Sequence, residues 1–234
     1  GVPVAKHGNR AATSRCGSAD LLEALGVKID LGADDVRRCL ADAGVAFMFA
    51  PNFHPAMAHA GPVRRELGVP TVFNFLGPLT NPARPHAQVV GVSDERMLPL
   101  MAEVLARRGI RARLFRGEDG LDELTTTGLS TVYDVKNGSV HETHLDPAAY
   151  GLARAKAEDL KGGSAEASAE IARRILDGEP GPKRDVVLLN AGAALEVAGF
   201  AASLHEGMAT AARTIDEGEA RATLARWVEV SHAR

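Results

Sequence analysis

Residues 88–116, QVVGVSDERMLPLMAEVLARRGIRARLFR, decide the fold. Gln88–Val92 is a short apolar run that reads as a strand, and Ile110–Arg116 reads as another. Between them, Glu95–Arg108 carries a helical pattern. Parallel strands need a crossover of this kind, whereas antiparallel strands can be joined by a tight turn. The unit therefore predicts an α/β fold with a mostly parallel central sheet flanked by helices on both faces.

Outward from this unit the alternation continues. Upstream, Val2–Ala5 and Val45–Ala50 read as strands. Ser18–Leu25 reads as a helix ended by Gly26, and Asp34–Ala43 as a helix closed by Gly44. Pro55–Leu67 is helical in pattern, and Pro70, Pro78, Pro82 and Pro85 punctuate a long connection after it. Downstream, Thr131–Val135 and Ser139–Thr143 flank Asn137-Gly138. That dipeptide predicts a hairpin, because a type I′ turn needs positive φ at both central residues. Four helices follow: Ser164–Leu176, Asp185–Ala198, Leu204–Asp216 and Glu219–Val230. With no clear linker, repeat or low-complexity tract, residues 1–234 are expected to form one main domain. A parallel α/β sheet seldom begins abruptly on such a strand, so a fragment of a larger α/β protein is expected.

Composition bounds the function. The chain has 234 residues, of which 45% are hydrophobic and 24% charged. A formal net charge of −3 and an aromatic content of 4% weigh against a nucleic-acid surface, which needs a positive field or stacking platforms. No apolar run is long enough to span a bilayer, and Gly1–Ala5 has no signal-peptide pattern, so no membrane role is expected. Two scattered cysteines, Cys16 and Cys39, suit a reduced cytoplasmic setting and read as small buried hydrophobes.

Three clusters carry chemistry. Lys6-His7-Gly8-Asn9-Arg10-Ala11-Ala12-Thr13-Ser14 lies between a strand and the helix at Ser18. Ligands of open α/β sheets bind beyond the carboxyl ends of strands, and a small loop there exposes N–H groups to anions. Lys6 and Arg10 add charge, and Thr13, Ser14 and Ser18 add hydroxyls, so the loop suits a polyanion. The plain alternative is a polar loop with solvated charges. Gly120-Leu121-Asp122-Glu123 pairs two carboxylates that suit Mg2+, with a solvated acidic turn as the alternative. The third cluster joins Asn52-Phe53-His54-Pro55, Arg64-Arg65 and Asn74–Pro82. An arginine here could clamp a carboxylate by paired hydrogen bonds, or simply be an exposed helical residue. Phe73 and Phe75 read as core residues. His54 and His59 are spaced wrongly for a helical zinc pair, and the chain has neither a P-loop nor a G-x-G-x-x-G.

Taken in order, these stretches are similar to one family. Lys6–Arg10, Gly17–Gly26, Phe49-Ala50-Pro51, His54-Pro55-Ala56, Val72–Pro82, Gly117–Thr127 and Leu189-Asn190-Ala191 resemble the motifs of anthranilate phosphoribosyltransferases. The resemblance implies a nucleoside-phosphorylase-type phosphoribosyltransferase fold, with the small helical domain largely missing. It implies transfer of a phosphoribosyl group from phosphoribosyl diphosphate (PRPP) to anthranilate, releasing pyrophosphate, in tryptophan biosynthesis.

Carried over by position, the resemblance assigns PRPP to Lys6, His7, Gly8, Asn9, Arg10, Ala11, Ala12, Thr13, Ser14 and Ser18. It assigns anthranilate to Asn9, Arg64, His54 and Pro78, and Mg2+ to Asp122 and Glu123. No general base or nucleophile is assigned. A cytoplasmic homodimer is implied for the intact enzyme. The sequence departs from the family pattern in four ways: a Gly-Thr-Gly-Gly-Asp loop, an Asn-x-Ser-Thr segment and the N-terminal helices are absent, and Cys16 stands where serine is common. Little or no turnover is therefore expected of residues 1–234 alone. The alternatives are a non-catalytic nucleic-acid-binding relative, a nucleoside phosphorylase or an inactive fragment.

Overall fold

The computed structural model describes residues 1–11, 15–57, 59, 66–69 and 71–233. The chain divides into two compact units. One comprises Gly1–Arg84, Gly162–Arg174 and Glu219–Arg234; the other comprises Pro85–Lys161 and Ile175–Gly218.

In the first unit, β1 (Val4–Gly8) pairs in parallel with β2 (Val45–Phe49), from Val4 opposite Val45 to Gly8 opposite Phe49. The connection runs through α1 (Ser18–Ala24) and α2 (Ala33–Ala43). Gly44 ends α2 in the left-handed region that glycine occupies without a Cβ penalty. The core gathers Val36 and Cys39 of α2, Phe47 and Met48 of β2, and Trp227 of the C-terminal helix. Burial pushes the Cys39 thiol pKa up, so this cysteine behaves as a packed hydrophobe, as the sequence indicates.

After β2 the chain enters the short helix α3 (Ala50–Phe53). The Pro55–Leu67 pattern falls largely outside the described residues. The proline-rich connection is not wholly irregular, since Phe73–Leu79 forms helix α4 with Pro78 inside it. A proline in a helix signals a break, but Pro78 sits in the last turn of a seven-residue helix that ends one residue later. Phe73 is 39% exposed, so it is not the core residue its type suggested.

In the second unit the opening stretch folds as read, with small shifts at its ends. β3 (Ala87–Gly91), α5 (Met97–Arg107) and β4 (Arg111–Gly117) form the parallel βαβ unit. β5 (Ser130–Lys136) and β6 (Ser139–Leu145) then extend the sheet antiparallel, in the order β3-β4-β5-β6. Their turn has φ of 54° at Asn137 and 75° at Gly138, the signs a type I′ turn demands. The α/β class holds, and the hairpin supplies the antiparallel pairs, so parallel pairing is confined to β1·β2 and β3·β4 among the described strands.

Four helices complete the chain: α6 (Ala165–Leu176), α7 (Pro182–Ala198), α8 (Leu204–Asp216) and α9 (Glu219–His232). α7 and α8 pack Leu189, Ala193, Leu204 and Met208 against Phe115 and Val132 of the sheet and against Leu124. A partly buried ion-pair group lies beside them: Arg113 on β4 binds Asp134 on β5 and Glu196 on α7, both at 2.7 Å. Among the described residues no helix is long and apolar enough to cross a membrane.

Candidate active site

Parallel pairing explains which residues meet in the first unit. With Gly8 opposite Phe49, β1 and β2 finish at the same edge, and the segments that follow them emerge side by side. The Lys6–Arg10 stretch and the His54 segment are 47 residues apart yet converge, since His54 Nε2 lies 3.1 Å from His7 Nε2. The other His7 nitrogen, Nδ1, lies 3.2 Å from the Gly77 carbonyl oxygen. That carbonyl only accepts, so Nδ1–H donates to it. In neutral His7 the Nε2 lone pair is then left to accept from His54 Nε2–H. Burial holds the His7 pKa below its ordinary value against the Gly77 bond that raises it; His54 and Lys6 push it lower still. His7, His54 and the Gly77-Pro78 step therefore form one connected group.

The loop after β1 is organised by a residue that no motif reading singled out. Asp20, in the first turn of α1, accepts the Gly17 N–H at 2.8 Å and the Ala11 N–H at 3.0 Å through one oxygen. These bonds hold its carboxyl below the usual range. The two limbs of the loop touch there: a Cβ on Gly17 would lie 2.3 Å from the Ala11 nitrogen, so only glycine fits. Asp20 stands three residues after the helix-capping position, a spacing that signals such a role.

Arg10 is engaged from several sides. It pairs with Asp20 at 3.2 Å and with Glu23 through both guanidinium nitrogens, one of them at 2.9 Å, and its guanidinium carbon lies 5.5 Å from the centre of the Phe49 ring. The hydrogen bond to Glu23, set against a smaller desolvation cost, raises its pKa further. Lys6 is exposed and makes no ion pair among the described residues. The Asn9 side chain accepts the Arg10 N–H at 2.8 Å, and the Asn9 carbonyl accepts the Ala19 N–H at 3.3 Å. Ser18 begins α1 beside Gly8. Ala12, Thr13, Ser14 and Arg64 lie outside the described residues.

In the second unit β3 and β4 likewise finish together, with Gly91 opposite Phe115. The acidic loop follows β4. Asp122 and Glu123 are exposed, and the next residue, Leu124, is wholly buried. Asp119 organises the loop by accepting the Thr125 hydroxyl at 2.5 Å, the Thr127 hydroxyl at 2.6 Å and the Leu121 N–H at 3.0 Å. Burial opposes its ionisation, but these donors prevail and hold its pKa below the usual value. Asn190 on α7 binds both backbone groups of Leu124. Among the described residues no three His, Cys, Asp or Glu side chains gather as a metal cage. Two exposed carboxylates fit a hard cation that keeps waters and takes its remaining oxygens from a substrate, as Mg2+ does.

The sequence matches the family model "Glycosyl transferase family, a/b domain" over residues 1–221. Among curated relatives, the anthranilate phosphoribosyltransferase of Salinispora arenicola is 55% identical over 100% of this chain and 67% of its own length. That of Mycolicibacterium gilvum is 55% identical over 97% of this chain and 65% of its own length. The chain thus spans about two thirds of the curated relatives it matches. The crystal structure of the Thermus thermophilus anthranilate phosphoribosyltransferase superposes with a TM-score of 0.94 at 50% identity, covering 100% of this chain and 70% of that one. The Saccharomyces cerevisiae enzyme in complex with PRPP and Mg superposes with a TM-score of 0.89 at 28% identity, covering 97% of this chain and 64% of that one. Matched along nearly its whole length in sequence and in fold, the chain belongs to the anthranilate phosphoribosyltransferases of the glycosyl transferase family.

Proposed function

We propose that this chain forms the α/β part of an enzyme that transfers the phosphoribosyl group of PRPP to anthranilate. The products are N-(5-phosphoribosyl)anthranilate and pyrophosphate, in tryptophan biosynthesis. The observation that carries this reading is 55% identity to an anthranilate phosphoribosyltransferase over the whole chain. The yeast relative, seen in complex with PRPP and Mg and with 4-fluoroanthranilate, supports the ligand classes.

We assign PRPP to Lys6–Ser14 with Ser18. Lys6 offers a phosphate an ammonium that is unpaired among the described residues, and Asp20 ties Ala11 to Gly17 and so closes the two ends of the loop. Anthranilate is assigned to Asn9, His54, Pro78 and Arg64, with the Arg64 guanidinium taking its carboxylate in a forked pair. Neutral His7 fixes the His54 ring and the Gly77-Pro78 step against each other, which defines one wall for a flat aromatic acceptor.

Asp122 and Glu123 would hold Mg2+, which when bound neutralises the departing diphosphate. The acceptor amine is an aniline, which attacks through its own lone pair, so no side chain need remove a proton first. Catalysis then rests on holding the two substrates in line and on neutralising the leaving group. The intact protein is proposed to be a cytoplasmic homodimer, as its family resemblance implies.

The direct test follows anthranilate fluorescence with PRPP and Mg2+ in the protein at its relatives' full length. Fluorescence should fall only when all three are present. No loss of anthranilate would overturn the assignment.

A further inference from the structure

The acidic loop has an anchor outside itself. Asn190 lies on α7, 66 residues beyond Leu124. Its side-chain oxygen accepts the Leu124 N–H at 3.0 Å. Its amide nitrogen donates to the Leu124 carbonyl at 2.8 Å and to the Val186 carbonyl at 2.9 Å. The NH2 group has two hydrogens, so both are used, and the orientation of the amide is fixed by its partners. Leu124 is thus paired as it would be by a neighbouring strand, although the partner is a single side chain.

Leu124 is also the loop's buried plug. Its side chain is fully covered, packed with Leu189, Ala193, Leu204 and Met208. On the other side of the carboxylates, β3 crowds the backbone, because a Cβ on Gly91 would lie 1.6 Å from the Asp122 carbonyl oxygen. Asp122 and Glu123 are held between these two restraints. Neither restraint touches the carboxylate oxygens, so both act on direction and not on charge.

We propose that Asn190 is a positioning residue for the divalent cation and its diphosphate: it sets the direction in which Asp122 and Glu123 present their carboxylates. This rests on assigning the metal to those two residues. Removing a group that orients metal ligands costs about 10–100-fold in metal affinity when the ligands themselves are retained. An effect of that size is expected here, because Asn190 holds both backbone groups of the residue that directly follows the two ligands.

The test is binding of Mn2+ in the presence of inorganic pyrophosphate, read by electron paramagnetic resonance on the full-length protein. Three forms are compared: unchanged, Asn190→Ala and Asn190→Asp. Asn190→Asp keeps the shape of the side chain and removes both donors, so it preserves helix packing if the alanine variant unfolds. Calorimetric melting confirms that each variant is folded. Both variants should bind Mn2+ at least tenfold more weakly, raise the KM for PRPP and leave the KM for anthranilate within twofold. Folded variants with unchanged Mn2+ affinity would overturn the role of Asn190 and leave the metal assignment standing. Absence of Mn2+ binding by the unchanged protein would overturn both.

Discussion

Gly207→Ala should destabilise this protein, although the substitution replaces the poorer helix former with the best one. In an exposed helix interior the exchange gains about 1 kcal/mol. Gly207, however, lies where α8 crosses α7. A Cβ there would stand 2.3 Å from the Gly192 carbonyl oxygen and 2.9 Å from its Cα, whereas ordinary contact begins at 3.4 Å. Both obstructing atoms are backbone, so no flexible side chain can move aside. The helices must part by about 1 Å, which weakens dispersion contacts along the seam. Leu189, Ala193, Leu204 and Met208 lie along it. Overpacking of this kind costs about 3 kcal/mol, the upper part of its usual range. The net loss is about 2 kcal/mol, which for a chain of this length lowers Tm by about 4–8 °C. Differential scanning calorimetry measures it. The control is Gly77→Ala in α4, where a Cβ meets no atom of another element within 4 Å, so only the local effect of placing alanine before Pro78 is read. A Gly207→Ala protein with unchanged or higher Tm would refute the argument, because the close approach would then carry no energetic consequence.

Other perturbations test the site and its supports. Asp20→Ala opens the loop whose limbs it joins; the KM for PRPP should rise about tenfold or more, with a smaller change for anthranilate, in steady-state kinetics. Arg64→Ala should weaken anthranilate more than PRPP, and equal loss of both would remove Arg64 from the acceptor site. Arg113→Met leaves Asp134 and Glu196 facing each other without their cation. Those carboxylates keep 33% and 24% of their side-chain surface, so the cost falls at or below the low end of the ~3–5 kcal/mol for breaking a buried pair, measured by urea unfolding. His7 has a folded pKa below its unfolded value of about 6.5. Its contribution to stability is therefore complete above about pH 6.5 and is lost as pH falls through the lower folded value. His7→Gln should flatten that acid-side decline in Tm; an unchanged slope would show that another group causes it.

Much of the fold was legible because its signals are local. The βαβ stretch at 88–116 and the Asn137-Gly138 turn each specify their neighbours through periodicity or φ alone, and both formed as read. What misled was also local. Pro78 signalled a loop, but a proline near the end of a short helix leaves only a fragment of helix to break. Phe73 looked like core by composition, yet its type says nothing about whether a second layer covers α4.

The site divides along the same line. Residues proposed to touch ligands carry charge or hydroxyls in short runs, so Lys6–Arg10 and Asp122-Glu123 stand out in one pass along the chain. The residues that hold them in place do not. Asp20 looks like an ordinary acidic residue in a first helical turn, and Asn190 like a polar residue in an apolar helix. Only the fold shows that one closes a loop beginning nine residues earlier and that the other binds the backbone of Leu124. This difference has a physical basis. A side chain that neutralises a phosphate or holds a cation must supply charge, and charge is visible in sequence. A side chain that meets backbone need only supply one donor and one acceptor at the right distance, which many residues could do. Its identity becomes informative only when its partner is known, so the supports of this site are the part that sequence conceals and that mutation can reveal.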